Sequence, residues 1–133
     1  MRILIFSLII SITKFISAQN VTLYEQHNGR FDYTAIGNTL NIIENGAYFE
    51  CSILSSSDAN LFIESNQNVR AAYLYWAGSG EGDFDIKLND NDIYPIRTFS
   101  YSLDANRQFF SAFSDVTEIV QEHGNGMIVF VTS

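Results

Sequence analysis

Residues 73–86, YLYWAGSGEGDFDI, run from an aromatic block through Gly78, Gly80 and Gly82 into alternating acids and apolar residues. A glycine-rich loop after an apolar strand is where many proteins cradle phosphate, so this stretch decides between a nucleotide-binding α/β fold and a simple strand connection. A dinucleotide fingerprint needs G-x-G-x-x-G opening a helix. Gly78 and Gly80 satisfy its first two positions, but Asp83 stands at the third. From Asp83 to Leu88 the chain then alternates, with Phe84, Ile86 and Leu88 on one side and Asp83, Asp85 and Lys87 on the other. That is the period of a strand with one wet face, not of a helix. Glu81, Asp83 and Asp85 would repel a phosphate. No Gly-Lys-Ser/Thr follows, which removes the P-loop, and Ala77 and Glu81 stand where a nucleophile elbow around Ser79 needs glycines. The loop reads as a bend between two strands.

The rest of the chain agrees. Asn28-Gly29, Asn45-Gly46, Gly78-Ser79-Gly80 and Asn125-Gly126 read as turns, and Pro95 is the only proline. Between them lie segments rich in β-branched and aromatic residues: Val21–Tyr24, Thr39–Ile43, Val69–Trp76, Phe84–Leu88, Ile93–Tyr101 and Met127–Thr132. Val69–Trp76 is apolar at nearly every position, as expected of a central strand covered on both faces. Ser55–Asn60 reads as a polar loop. One short helix is expected near 115–123, with Asp115 as N-cap, Glu118 completing a capping box and His123-Gly124 as the stop. The fold class is therefore all-β, an antiparallel β-sandwich or jelly-roll-like domain with one short helix.

Arg2, the apolar run Ile3–Ile12 and small residues at Ser17-Ala18 form the three-part layout of a secretory signal peptide over residues 1–18. The run falls short of the ~20 apolar residues that span a bilayer. The domain is then 19–133. The chain holds seven basic and fifteen acidic residues, a net charge of −8. Without Arg2 and Lys14 the seven become five, and the net charge becomes −10. Such a surface is a poor partner for nucleic acid or anionic lipid, whose binding needs basic residues. Cys51 is the single cysteine, so it packs as a small apolar side chain or pairs with another molecule or a downstream segment.

Candidate sites are few. Glu81, Asp83 and Asp85, with Asn89, Asp90, Asn91 and Asp92 behind them, offer hard oxygen ligands for calcium, although neither group has EF-hand spacing. The alternative is a solvated acidic rim and a polar hairpin turn over Asn89–Asp92. His27 and His123 lie in separate turns with no zinc-binding motif around them. No nucleophile–base spacing nominates a catalytic residue. Tyr24, Tyr33, Tyr73, Tyr75 and above all Trp76 can act as core or as a sugar-stacking platform.

Three stretches extend the reading: VTLYEQHNGRFDYTAIGNTL at 21–40, AYLYWAGSG at 72–80 and FSAFSDVT at 110–117, joined by Gly-Asn-Gly at 124–126. Together they resemble the N-terminal β-rich region of large secreted proteins of gliding, Flavobacterium-type bacteria. That resemblance implies an adhesin-like, gliding-motility-associated surface protein exported by type IX secretion, with other surface proteins or glycans as partners and no enzymatic motif. It assigns no functional residue. Such proteins end in a sorting domain that is missing from this sequence. The expectation is thus of a piece of a longer protein, or of a truncated product held in the periplasm. Met127–Thr132 would then be left at a sheet edge, prone to self-association unless Val21–Tyr24 paired with it. The function expected is non-catalytic surface adhesion. The alternatives are a carbohydrate-binding module, with or without calcium, and a secreted hydrolase.

Overall fold

The computed structural model describes residues 22–43 and 52–132. The expected signal peptide, Cys51 and the Asn45-Gly46 turn lie outside those residues. The chain divides into two compact units, Met1–Tyr33 and Thr34–Ser133. In the first unit the described residues form no helix or strand, and His27 lies 3.7 Å from a Glu25 carboxylate oxygen and edge-on to the Phe31 ring. The second unit is the folded domain considered below.

Its described residues form seven strands and one helix: β1 (Ser56–Leu61), β2 (Tyr73–Ser79), β3 (Ile86–Leu88), β4 (Asn91–Ile93), β5 (Arg97–Ser102), β6 (Gln108–Asp115), α1 (Thr117–His123) and β7 (Gly126–Thr132). They make two antiparallel sheets, in the orders β1-β7-β3-β4 and β2-β6-β5. The core draws Leu61, Ile86, Leu88 and Ile93 from the first sheet and Trp76 and Ala112 from the second, and Val116 and Val120 close one end. The sandwich-like all-β class holds, with one short helix.

The glycines answer the opening question in physical terms. Gly78 lies opposite Phe110, and a Cβ there would come within 2.8 Å of that ring, so glycine makes the seat for it. Phe110 in turn meets Phe84 edge-on at 5.5 Å. Gly82 has φ +129, and a Cβ would strike Phe84. Glycine is therefore required in this bend for ring packing at Gly78 and Gly82 and for backbone turning at Gly80 and Gly82.

Several expected elements shift. The strand expected at Val69–Trp76 begins only at Tyr73, because the segment before it is tied to α1. Gln121 Nε2 donates to the Val69 carbonyl at 2.8 Å, and Ala72 N donates to Thr117 Oγ1 at 2.9 Å. The strand is also an edge, with β6 central in its place, and β6 is a strand that residue pattern alone does not pick out. Ile93–Tyr101 divides into β4 and β5 at Pro95, which lacks the N–H a continuous ladder needs. The helix begins one residue later than expected: its N-cap is Val116, whose side chain makes no capping bond, so the expected capping box of Asp115 with Glu118 does not form. Asp115 Oδ1 accepts from the Thr117 amide at 2.9 Å, and Gly124 ends the helix with φ +66.

Two corrections concern edges. Ser55–Asn60 is not a loop, because Ser56–Leu61 is β1 and pairs along the whole of β7. Its inward positions are Ser57, Ala59 and Leu61, too small and polar at the start to register as a strand pattern. Consequently β7 has a neighbour on each side and is no edge. Residues 22–24 form no strand, and Thr39–Ile43 contributes one bridge, Asn41 to Ile53. Residues 38–39 instead bind β1 through side chains: Asn38 Nδ2 donates to the Asp58 carbonyl and Ser57 Oγ to the Thr39 carbonyl, each at 3.1 Å.

The expected polar hairpin is present as a two-residue turn, with Asn89 (φ 48) and Asp90 (φ 66) both left-handed, as in type I′ turns. Asn89 also continues the ladder to β7, because its Oδ1 accepts from Val129 N at 2.8 Å while its own amide donates to Val129 O at 2.9 Å. Asn89→Ala loses both the acceptor and the tolerance of positive φ, a cost of about 2 kcal/mol. Asn89→Gly restores the backbone and loses only the acceptor, costing about half as much. Urea unfolding of the two variants checks the order.

Candidate functional site

Alternation on β2, β6 and β5 sorts their side chains onto two faces. Leu74, Trp76, Phe110 and Ala112 turn towards the core. Tyr75, Phe113 and Arg97 form one row across the opposite face. Ala77, Ser111 and Phe99 form the next, and Ser79, Phe109 and Tyr101 the third. Tyr75 and Tyr101 are 72% and 60% exposed, and Phe99 and Phe109 are each 42% exposed. At one end Phe113 is buried, with the rings of Tyr75 and Tyr73 tilted against it at 4.9 and 5.6 Å.

At the other end the β5–β6 hairpin supplies polar groups. The Leu103 amide donates to Arg107 O at 2.9 Å, which closes the turn. Within it, the Asp104 carboxylate accepts from the Asn106 and Arg107 amides at 3.0 and 2.9 Å, from Arg107 Nε at 2.7 Å and from Arg107 Nη2 at 2.5 Å. The Arg107 guanidinium, and after it the turn's amides, hold the Asp104 carboxyl below its ordinary value. A groove of about 450 Å³ opens here, lined by Ser79, Glu81, Asn106, Arg107, Gln108 and Phe109. Phe109 belongs to both the groove and the aromatic rows, so the two surfaces are continuous.

Trp76 is not the platform. It is 9% exposed, and its Nε1 donates to the Asp83 carbonyl at 2.9 Å. Tyr75 next to it takes the exposed position. Of the calcium candidates, Glu81, Asp83 and Asp85 stand in the β2–β3 connection and Asp90 and Asp92 in the β3–β4 hairpin. Asp92 accepts from Lys87 Nζ at 2.8 Å, which raises the lysine's pKa. Among the described residues, no three His, Cys, Asp or Glu side chains converge to hold a metal ion. His123 lies at the end of α1. Tyr24 and Tyr33 are exposed in the first unit, and Tyr73 belongs to the aromatic face. Among the described residues no helix is long and apolar enough to cross a membrane.

Sequence reasoning missed Phe99, Tyr101 and Phe109. The F-x-Y spacing at 99–101 signals two rings on one side. At Phe109-Phe110 the adjacent rings hide which one faces out until strand parity is known. The chain matches no protein-family model, no curated protein and no solved structure.

Two outcomes follow from this geometry. Trp76→Ala removes a core ring and its hydrogen bond, costing about 3–5 kcal/mol, against a total stability of about 5–15 kcal/mol for a domain. Trp76→Phe keeps most of the volume and leaves the Asp83 carbonyl without its donor, costing about 1–3 kcal/mol. Chemical denaturation of both variants measures the difference. For Asp104 the folded carboxyl has the lower pKa, so its stabilisation is present above the unfolded value and is lost as pH falls through the folded one. A carboxyl-detected NMR titration should place its midpoint below the ordinary 3.8. Arg107→Ala should return that midpoint towards the ordinary value.

Proposed function

We propose that this chain is a non-catalytic recognition domain of an exported, adhesin-like surface protein, and that it binds through the outer face of the β2-β6-β5 sheet. The observation behind this reading is the exposure of Tyr75, Phe99, Tyr101 and Phe109 on one sheet face. Water-facing aromatic rings grouped on a rigid sheet are unfavourable unless something covers them, and such groupings mark interaction surfaces. Rings supply large contact area at small entropic cost, because each has only two side-chain torsions to fix. The signal-peptide pattern and the resemblance to surface proteins of gliding bacteria support an extracellular setting, reached by type IX secretion. A net charge of −8 favours solubility outside the cell and disfavours nucleic acid.

The test is an adhesion assay. Beads coated with the full chain are challenged with bacterial cells, plant cell walls and mucin under flow. Retention should occur on at least one surface and fall about a hundredfold or more in a Tyr75→Ser/Tyr101→Ser/Phe109→Ser variant, since each of the three lost ring contacts is worth roughly 1 kcal/mol or more. Equal retention of the variant overturns the assignment of the face. Hydrolytic turnover that survives purification and maps to one Ser, Asp or Glu overturns the non-catalytic reading.

A further inference from the structure

We infer that the ligand of this face is a neutral polysaccharide of flat, equatorially linked sugars, a cellulose- or xylan-like chain. This inference rests on the reading of the face as a recognition surface and names what that surface recognises. Four observations lead to it, and the first is the composition of the face. At the outward positions of 73–79, 97–101 and 109–115 stand Tyr, Phe, Ser, Ala, Arg and Asp, with no Leu, Ile, Val or Met. The rings are therefore separated by short and hydroxylated residues. A surface of that kind suits a partner that alternates apolar and polar character over short distances. A pyranose ring does this, presenting axial C–H groups on its faces and hydroxyls around its edge.

The second observation is shape. Three antiparallel strands hold the rings on a sheet, with neighbouring strands about 5 Å apart, which is the length of one sugar unit in an extended chain. Equatorial linkage keeps successive sugars flat enough to lie along such a surface, whereas an axially linked chain coils away from it.

The third is charge. Arg107 is neutralised by Asp104, Asp115 stands on the same side as Arg97, and Glu81 lines the groove beside Arg107. Neither a polyanion nor a polycation finds a complement there. The acidic chain as a whole further disfavours nucleic acid and sulfated glycans.

The fourth is the groove beyond Phe109. Its Glu81, Asn106, Arg107 and Gln108 bring planar polar groups beside the rings. Planar amide, carboxylate and guanidinium groups hydrogen-bond adjacent hydroxyls in pairs. Arg107 is already fixed by Asp104 at two positions, so less of its freedom remains to be lost when a hydroxyl pair docks. Stacking rings followed by a preset hydrogen-bonding end is the arrangement expected of a site for one terminus of a sugar chain.

The experiment is a depletion assay with the full chain on microcrystalline cellulose, insoluble xylan and, as a polyanionic control, heparin beads. Binding is expected to cellulose or xylan and not to heparin. Tyr101→Ala and Phe99→Ala should each weaken it about tenfold. Arg107→Gln should weaken it less on insoluble chains and more on short soluble oligosaccharides, whose ends it would hold. Tyr94→Ala, an exposed ring outside this face, should leave binding unchanged. Near-ultraviolet circular dichroism confirms that each variant is folded. Failure to bind either polysaccharide overturns the ligand class, as does equal loss in Tyr94→Ala or a dimer that Tyr101→Ala dissolves. If the polysaccharides fail while the triple serine variant still loses bead adhesion, the recognition surface stands and only the sugar assignment falls. If adhesion is unaffected as well, both readings fall.

Discussion

Everything on the three-stranded sheet depends on which way Trp76 points. Strand side chains alternate strictly, so a slip of one residue would move each of them to the opposite face. Trp76 is held inward by a large apolar surface and by its indole N–H, which reaches the Asp83 carbonyl. The cross-strand partners make room for it. Ala112 lies opposite the indole, and Gly78 lies opposite Phe110, so each large ring meets a small neighbour. Filling of this kind selects one register, because the slipped alternative would bring bulky residues together and leave gaps elsewhere. With Trp76 and Phe110 inside, Tyr75 and Phe109 must be outside. The exposed aromatic face is thus the other side of the packing that forms the core.

The two sheets manage their edges differently. β1 exposes polar residues and is bound by Asn38 and Thr39, and its outward Asp58 would disfavour another strand. β7 is interior to its sheet: β1 pairs Gly126–Val131 of the apolar run that reads as a hazard in isolation, and β3 with Asn89 covers Val129–Thr132 on the other side. In the second sheet β6 is the strand that carries both functions. Its inward Phe110, Ala112 and buried Ser114 join the core side, where Ser114 Oγ donates to the Tyr94 carbonyl at 2.9 Å. Its outward Phe109, Ser111 and Phe113 form the middle of the candidate binding face. The hairpin that links it to β5 ends in the Asp104–Arg107 pair, so the polar groove is fixed by the same turn that sets the register of the rings.

The β class, the bend at the glycines and the alternation of Phe84, Ile86 and Leu88 were legible in the residues, because period and turn chemistry act locally. The short helix and its stop at Gly124 were legible for the same reason. Two features were not. β1 is built from Ser, Asp, Ala and Asn, and becomes a strand because β7 supplies a ladder to pair with. The start of β2 is delayed by hydrogen bonds from Thr117 and Gln121, which lie more than forty residues along the chain. The site itself was half legible. The Tyr-Leu-Tyr-Trp run announces aromatic density, but the most hydrophobic ring attracts the functional reading while its neighbour occupies the exposed place. Phe99, Tyr101 and Phe109 come together only through strand pairing.

The central claim is a statement about accessibility, and photochemically induced nuclear polarisation reads accessibility directly, since it enhances only tyrosine, tryptophan and histidine rings that a dissolved dye can touch. The account predicts strong enhancement of Tyr75 and Tyr101 in the native chain, with Trp76 silent until denaturant is added. Enhancement of Trp76 in the native chain, with Tyr75 silent, would mean that β2 presents its other face to solvent, and would contradict both the packing and the binding face derived from it.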